Sequence, residues 1–215
     1  MRFGVLGSGE VGRTLGSGLV ALGHSVMMGT RNTAKPEVQN WVRNTGTHAC
    51  TGSFAEAAKF GELIFFCIRW SGAENAILLA GQEPFAGKTV VDVTNPLDFQ
   101  PGVPPRLAIT PGTSAGESIQ RWLPESKVVK ALNTLSARQM IHGRLGDDRL
   151  DMFIAGNDAA AKTGVSAILS AWHWKTHDLG GIEQSALLES FALLSILHGF
   201  RTNNWNHLFK LVYAR

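Results

Sequence analysis

Short apolar runs alternate along this chain with stretches whose apolar residues recur at helical spacing. Residues 2–6 (RFGVL) read as a buried strand, the glycine turn GSGEVG follows, and Val11, Leu15, Leu19 and Leu22 then mark one face of an amphipathic helix. Gly23 ends that helix and HSVMMG reads as a second strand. Together they predict a βαβ unit, whose crossover is expected to be right-handed. The alternation continues with a helix over about 36–44, a short strand near HACT, and a helix near FAEAAKF. The run ELIFFCI, 62–68, is continuously apolar, as a strand covered on both faces should be. A helix from Ser71 to about Ala80 and the strand KTVVDVT come next.

Residues 96–111 hold five of the eight prolines, so regular structure is expected to stop there. A helix restarts at SAGESIQRWL, where Ser114 and Glu117 have capping-box spacing. KVVKAL and DMFIAG read as the sixth and seventh strands and HWKTHDL as an eighth, with a helix over about 158–171 between the last two. From Glu183 to about Leu197 the chain is apolar on several faces and predicts a long helix packed on the domain or on a partner chain. The pattern is that of a doubly wound, Rossmann-type α/β fold with a mostly parallel sheet over residues 1–181, followed by a C-terminal helical tail, 182–215.

Composition narrows the class. At 215 residues, 44% hydrophobic and 17% charged, the chain is sized for one soluble domain. No apolar window approaches a membrane span, and the N-terminus runs straight into a strand rather than a leader, so a cytoplasmic protein without membrane contact is expected. Two cysteines, Cys50 and Cys67, make no disulfide framework. The net charge of +3 is spread out, without the basic block that nucleic acid would call for.

The candidate chemistry lies near the N-terminus. Gly7, Gly9 and Gly12 form G-x-G-x-x-G after a strand and at the opening of a helix, the setting in which that spacing binds a dinucleotide. Gly7 permits the tight turn, Gly9 lets a pyrophosphate approach, and Gly12 lets helix and strand pack closely. An NAD site usually has Asp or Glu at the end of the second strand; here the stretch is MMGTRNTAK. Thr30, Arg31 and Lys35 offer a hydroxyl, a guanidinium and an ammonium, a 2′-phosphate site by composition, so NADP is expected over NAD.

Other candidates are weaker. His173 and His177 would lie roughly 13 Å apart along a strand, which disfavours a shared metal, and no metal site is expected. His24 reads as a hydrogen-bonding turn residue, and Ser114 and Ser118 lie in no nucleophile elbow. Glu189 could be a partly buried acid but reads first as a polar contact on the tail helix, and no acid–base pair stands out. That silence suits hydride transfer to a conjugated ring, which needs positioning more than a strong acid.

The blocks GSGEVGRTLGSGLVALGHSVMMGTR, CIRW, VVDVTNPL, KVVKALNTLSA and DLGGIEQSALLES, in that order, resemble the coenzyme F420-dependent NADP oxidoreductases. The reductase domains of membrane ferric reductases share this layout. The resemblance implies that Ser8, Gly9, Glu10 and Val11 meet the pyrophosphate, and that Thr30, Arg31 and Lys35 clamp the 2′-phosphate. It further implies that Trp70 and Asn95 line the path from adenosine to nicotinamide and that Ala137 touches the nicotinamide. Where F420 enzymes of this family carry a His that contacts the deazaflavin, this chain has Asn133. Asn133 is therefore the candidate contact for an acceptor left open between F420 and a flavin. The expected activity is hydride transfer between NADP(H) and a planar acceptor by a homodimer paired through about 182–200. A non-enzymatic NADP sensor is the alternative.

Overall fold

A computed structural model describes residues 1–109 and 112–214. Eight strands form one sheet: β1 Arg2–Leu6, β2 Ser25–Gly29, β3 Ala49–Gly52, β4 Leu63–Phe66, β5 Thr89–Asp92, β6 Lys127–Lys130, β7 Asp151–Gly156 and β8 Lys175–Asp178. Their order across the sheet is β3-β2-β1-β4-β5-β6-β7-β8. All neighbours run parallel except β6 and β7, which meet antiparallel with Ala155 opposite Lys130. The helices are α1 Glu10–Ala21, α2 Pro36–Thr45, α3 Phe54–Phe60, α4 Ala73–Ala80, α5 Ala115–Trp122, α6 Ala159–Ala171 and α7 Ser185–Thr202. This is the doubly wound Rossmann-type arrangement, with its strand order reversing between β1 and β4.

The strands alternate between two apolar layers, as a pleat with period two requires. In β4, Leu63 and Phe65 join Phe3, Leu15, Leu19, Val129 and Trp172 on one face. Ile64 and Phe66 join Ala57, Ile77, Val90 and Ile119 on the other. Burial on both faces explains why β4, and β1 after Arg2, carry no polar residue.

Several boundaries differ from the sequence reading. The fourth strand stops at Phe66, and the helix expected from Ser71 begins with a 3-10 turn, Trp70–Gly72, before α4. His173 is not in a strand: it takes φ 69 in the turn ahead of β8, where the Trp174 indole donates to the Met140 carbonyl at 2.8 Å. The proline segment contains a two-residue ribbon, Leu97–Asp98 against Arg106–Leu107; Thr110 and Pro111 lie outside the described residues. Ser114 does cap α5, with its hydroxyl 3.1 Å from the Glu117 amide and 2.8 Å from the Glu117 carboxylate. The reciprocal box forms instead at Ser53 and Glu56, on α3. The Ala115 and Gly116 amides at the start of α5 are taken by the Glu189 carboxylate of α7, at 3.0 and 3.2 Å.

Candidate functional site

Where the strand order reverses, the chain leaves β1 and β4 in opposite directions and opens a crevice at the strand ends. A cleft of about 600 Å³ sits there, lined by Gly7, Ser8 and Gly9 beyond β1, Thr30, Arg31 and Lys35 beyond β2, and Cys67, Ile68 and Arg69 beyond β4. The glycines fit the motif's physical demands. Gly7 takes φ 116, and a Cβ on Gly12 would lie 1.9 Å from the Gly7 carbonyl oxygen, so α1 can sit against the turn only without a side chain there. A Cβ on Gly9 would meet nothing within 4 Å, which leaves room for a ligand to approach. Gly9 caps α1 without a side-chain hydrogen bond. The first helical bond is Arg13 N to Gly9 O, so the amides of Glu10, Val11 and Gly12 precede it and are available to an anion.

The basic end is built beside them. Thr30 is buried, with its hydroxyl 3.3 Å from that of Ser8. Arg31 is exposed and Lys35 half-buried, and among the described residues neither is in an ion pair with a carboxylate. Glu37 also lines the cleft, but among the described residues it forms no ion pair with either cation, so two cations beside a hydroxyl remain to suit a phosphate monoester. Arg13 also lines this cleft and donates to the Ser8 carbonyl at 2.7 Å. The sequence reading missed Arg13, although its place one turn into α1 could have suggested it. The residues present therefore fit a pyridine dinucleotide with a 2′-phosphate. Below, burial and the Asp92 carboxylate push the Cys67 thiol up, so the cleft floor is neutral there.

The remaining predicted residues fall further along the sheet. Trp70 does not line the cleft; its ring stacks on Trp122, centroids 5.5 Å apart. Ala137 opens a 3-10 turn whose Arg138 reaches Glu10 at 3.5 Å, bringing that turn beside the start of α1. Asn95 and Asn133 stand three residues beyond β5 and β6 and line one cavity of about 150 Å³ with Ser136, Ser195, Trp205 and His207. They bind each other: Asn95 Nδ2 donates to the Asn133 carbonyl at 2.7 Å, and Asn133 Nδ2 to Asn95 Oδ1 at 3.0 Å. Just before Asn133, buried Leu132 takes φ 62, a left-handed value that a Leu adopts only when the surroundings impose it.

Beneath this cavity lies a charged cluster that the sequence reading did not find. Lys130, at the end of β6, is fully buried between Asp92 of β5 at 2.9 Å and Glu189 of α7 at 2.8 Å. Its ammonium also donates to the Thr94 carbonyl at 2.6 Å. Burial works against that ammonium, but the two carboxylates outweigh it and raise its pKa. Burial pushes the Glu189 carboxyl up, against the pull of Lys130. Glu189 is thus a buried member of a charge cluster, not an ordinary polar contact. The other weighed residues have local roles. His24 packs on the Phe3 ring, Ser118 donates to the Ser114 carbonyl at 2.9 Å, and His177 pairs with Asp151.

Comparison with known proteins agrees with this geometry. A family model described as NADP oxidoreductase, coenzyme F420-dependent, matches residues 2–96. The chain is 29% identical over 195 residues to metalloreductase STEAP3 of Rattus norvegicus, covering 89% of this chain and 36% of that protein. It is 31% identical over 147 residues to the F420-dependent NADP reductase of Methanocaldococcus jannaschii, covering 66% of this chain and 63% of that one. The chain thus spans between about a third and just under two thirds of these relatives' lengths. Among solved structures, a protein from Arthrobacter sp. FB24, described provisionally as an F420-dependent NADP-reductase, superposes with a TM-score of 0.90. It is 37% identical, with 98% of this chain and 99% of that one covered. With the phosphate-binding turn, the basic end of β2 and a likeness over essentially the whole chain in agreement, this protein belongs to the coenzyme F420-dependent NADP oxidoreductase family.

Proposed function

We propose that the protein is an NADPH-dependent oxidoreductase that moves a hydride between NADP(H) and a planar conjugated acceptor, F420 or a flavin. The observation that carries this is the cleft at the switch point, with Thr30, Arg31 and Lys35 at its rim and no acid at the end of β2. Gly7, Ser8, Gly9 and the amides of Glu10, Val11 and Gly12 would hold the pyrophosphate, and Thr30, Arg31 and Lys35 the 2′-phosphate. When bound, the dihydronicotinamide supplies the hydride. Asn95, Asn133 and Ala137 flank the direction in which its ring would lie, and Asn133 is assigned to the acceptor's polar edge. The cavity lined by Asn95 and Asn133 supports an enzyme over an NADP sensor, because a sensor needs no second pocket beyond the dinucleotide.

Among the described residues no helix is long and apolar enough to cross a membrane. The free thiols of Cys50 and Cys67 suit a reducing compartment, and we place the protein in the cytoplasm. Leu187, Leu194, Leu197 and Phe200 leave an exposed apolar face on α7, which supports a homodimer through residues 182–200; light scattering giving a monomer mass at micromolar concentration would refute the pairing. The main test is calorimetric titration. Charge-assisted bonds contribute about 1.5–3 kcal/mol each, so NADPH should bind at least about tenfold more tightly than NADH. Equal affinity for both sinks the 2′-phosphate reading. A screen of NADPH oxidation against F420, FMN, FAD, riboflavin and quinones identifies the acceptor.

A further inference from the structure

Two side chains on the far side of the Asn95–Asn133 cavity have no part in the binding scheme above. Ser195 is buried on α7, and its Oγ lies 2.9 Å from His207 Nε2. His207 reaches that place because the chain reverses after α7, where Asn203 takes φ 50, and folds back along the helix it has just left. The returning segment is held at several points. Gln139 Nε2 donates to Asn206 Oδ1 at 2.9 Å, and the Leu211 amide to Asp151 Oδ2 at 2.8 Å. The Trp205 ring covers Gly199, where a Cβ would lie 2.7 Å from it. His207 Nδ1 is 3.0 Å from the Asn204 carbonyl oxygen. A carbonyl only accepts, so Nδ1 carries a proton; in the neutral ring Nε2 is then the acceptor and the Ser195 hydroxyl donates to it.

Asn133 lines the same cavity and is 3% exposed. Its Nδ2 is used twice, towards Asn95 and towards the Leu188 carbonyl at 3.0 Å, yet its Oδ1 is buried with no hydrogen-bond partner. A buried carbonyl oxygen left alone costs free energy that a donor on a ligand would recover. The cavity, about 150 Å³, has the size that accepts a single six-membered ring. It can take the edge of a fused ring system, but not the whole of one.

We propose that this cavity receives the polar edge of the hydride acceptor, and that Ser195, backed by His207 from the C-terminal segment, delivers the proton that accompanies the hydride. The inference rests on the reading of the chain as an NADP(H)-linked reductase of a conjugated ring. The matching ligand class is a nitrogen heterocycle whose edge presents an N–H, for Asn133 Oδ1, next to a carbonyl oxygen or ring nitrogen that can be protonated. The hydride from NADPH adds to the ring and NADP+ leaves. The displaced electron pair emerges at the edge heteroatom, which takes the proton of the Ser195 hydroxyl as that O–H bond breaks. Ser195 Oγ takes a proton in turn from His207 Nε2, the imidazole being doubly protonated for this step, and the imidazole regains it from solvent. The balance is NADPH, acceptor and one proton to NADP+ and the reduced acceptor. Ser195 is the catalytic residue, and His207 a positioning and relay residue behind it.

The test uses the full chain in single-turnover stopped flow, NADPH-loaded protein being mixed with FMN and, separately, with F420, in H2O and in D2O. General-acid groups contribute roughly 10²–10⁴-fold, so Ser195→Ala should slow reduction by about a hundredfold or more and abolish the solvent isotope effect. Ser195→Thr, which keeps a hydroxyl, should restore most of the rate, and His207→Gln should fall between. NADPH affinity within about threefold of wild type, a difference of roughly 0.65 kcal/mol, shows that each variant is folded. Independently of activity, the ring-proton NMR signal of His207, assigned by its loss in His207→Gln, should move when oxidised FMN or F420 is added to the NADP+-bound protein. Ser195→Ala reducing the probe at the wild-type rate with the isotope effect intact, or a His207 signal that stays in place, overturns this inference alone. Wild-type protein that reduces neither probe overturns the ring-acceptor reading and this inference with it.

Discussion

Truncating Glu189 to Ala removes three interactions at once. Glu189 Oε1 lies 2.8 Å from Lys130 Nζ and 3.2 Å from the Gly116 amide, and Oε2 lies 3.0 Å from the Ala115 amide. Lys130 keeps Asp92 at 2.9 Å and the Thr94 carbonyl at 2.6 Å, so its charge is not stranded. What is left unpaired is the start of α5. Two buried amides without acceptors cost about 1–3 kcal/mol each. That puts Glu189→Ala at about 2–6 kcal/mol, a fall of roughly 4–24 °C in Tm for a domain of this size. An exposed glutamate on a helix surface would cost no more than about 1 kcal/mol, so urea and thermal unfolding separate the two cases. A loss below about 1 kcal/mol refutes the reasoning. Glu189→Gln adds a check on sign. Burial raises the Glu189 pKa, so the folded state holds that proton to higher pH than the unfolded chain does, and stability falls as pH rises through that interval. Glutamine carries no such proton. The wild type's advantage over Glu189→Gln should therefore shrink as pH rises above the ordinary glutamate value of about 4.3; an advantage that grows would reverse the assignment.

Arg31→Ala should weaken NADPH by about tenfold or more, from the loss of one charge-assisted contact of about 1.5–3 kcal/mol, and leave NADH nearly unchanged in calorimetric titration. Gly12→Ala forces a Cβ to within 1.9 Å of the Gly7 carbonyl oxygen, so it should push α1 off the turn and abolish measurable NADPH binding. Asn133→Leu should slow reduction of the ring acceptor while holding NADPH affinity within about threefold; a large loss of NADPH binding would mean that Asn133 serves the dinucleotide. Burial opposes the Asp151 carboxylate, but the His177 hydrogen bond and the Leu211 amide outweigh it and depress its pKa. The stabilisation is therefore present above the unfolded aspartate value and lost as pH falls through the lower folded one. Wild type and Asp151→Asn should accordingly converge in Tm in strong acid.

The parts of the fold legible in the sequence are those held by local rules. Strand β4, and β1 past Arg2, are covered on both faces and so read as unbroken apolar runs. The glycine turn is legible because its spacing follows a strand and opens a helix, and because Gly12 answers a contact only five residues back, the Gly7 carbonyl. The acid missing after β2 is likewise a fact about neighbours in sequence. Less legible was anything decided across the sheet. The antiparallel meeting of β6 and β7 leaves no mark in composition. The first turn of α5 carries a good capping serine, yet the ligand of its Ala115 and Gly116 amides comes from a helix more than seventy residues away. Lys130 looks like an ordinary charged residue ending a strand. Only the register that sets it opposite Asp92, and the tail helix laid over both, makes it the centre of a buried cluster.

That cluster also explains why the tail helix belongs to the site rather than merely covering it. Asp92 and Lys130 end two adjacent strands, and three residues beyond each comes an asparagine, Asn95 and Asn133. The Lys130 ammonium holds the Thr94 carbonyl, next to Asn95, and Asn133 donates to the Leu188 carbonyl, next to Glu189. Two independent ties therefore join the strand ends to one turn of α7, one ionic and one through an amide. Six residues past Glu189 on that helix stands Ser195, with His207 folded back upon it. A charge pair broken at Glu189 would loosen the same helix that places Ser195 against the Asn133 cavity. Stability of the tail and the rate of proton delivery should accordingly fall together in Glu189→Ala, whereas Ser195→Ala should lose rate without losing stability.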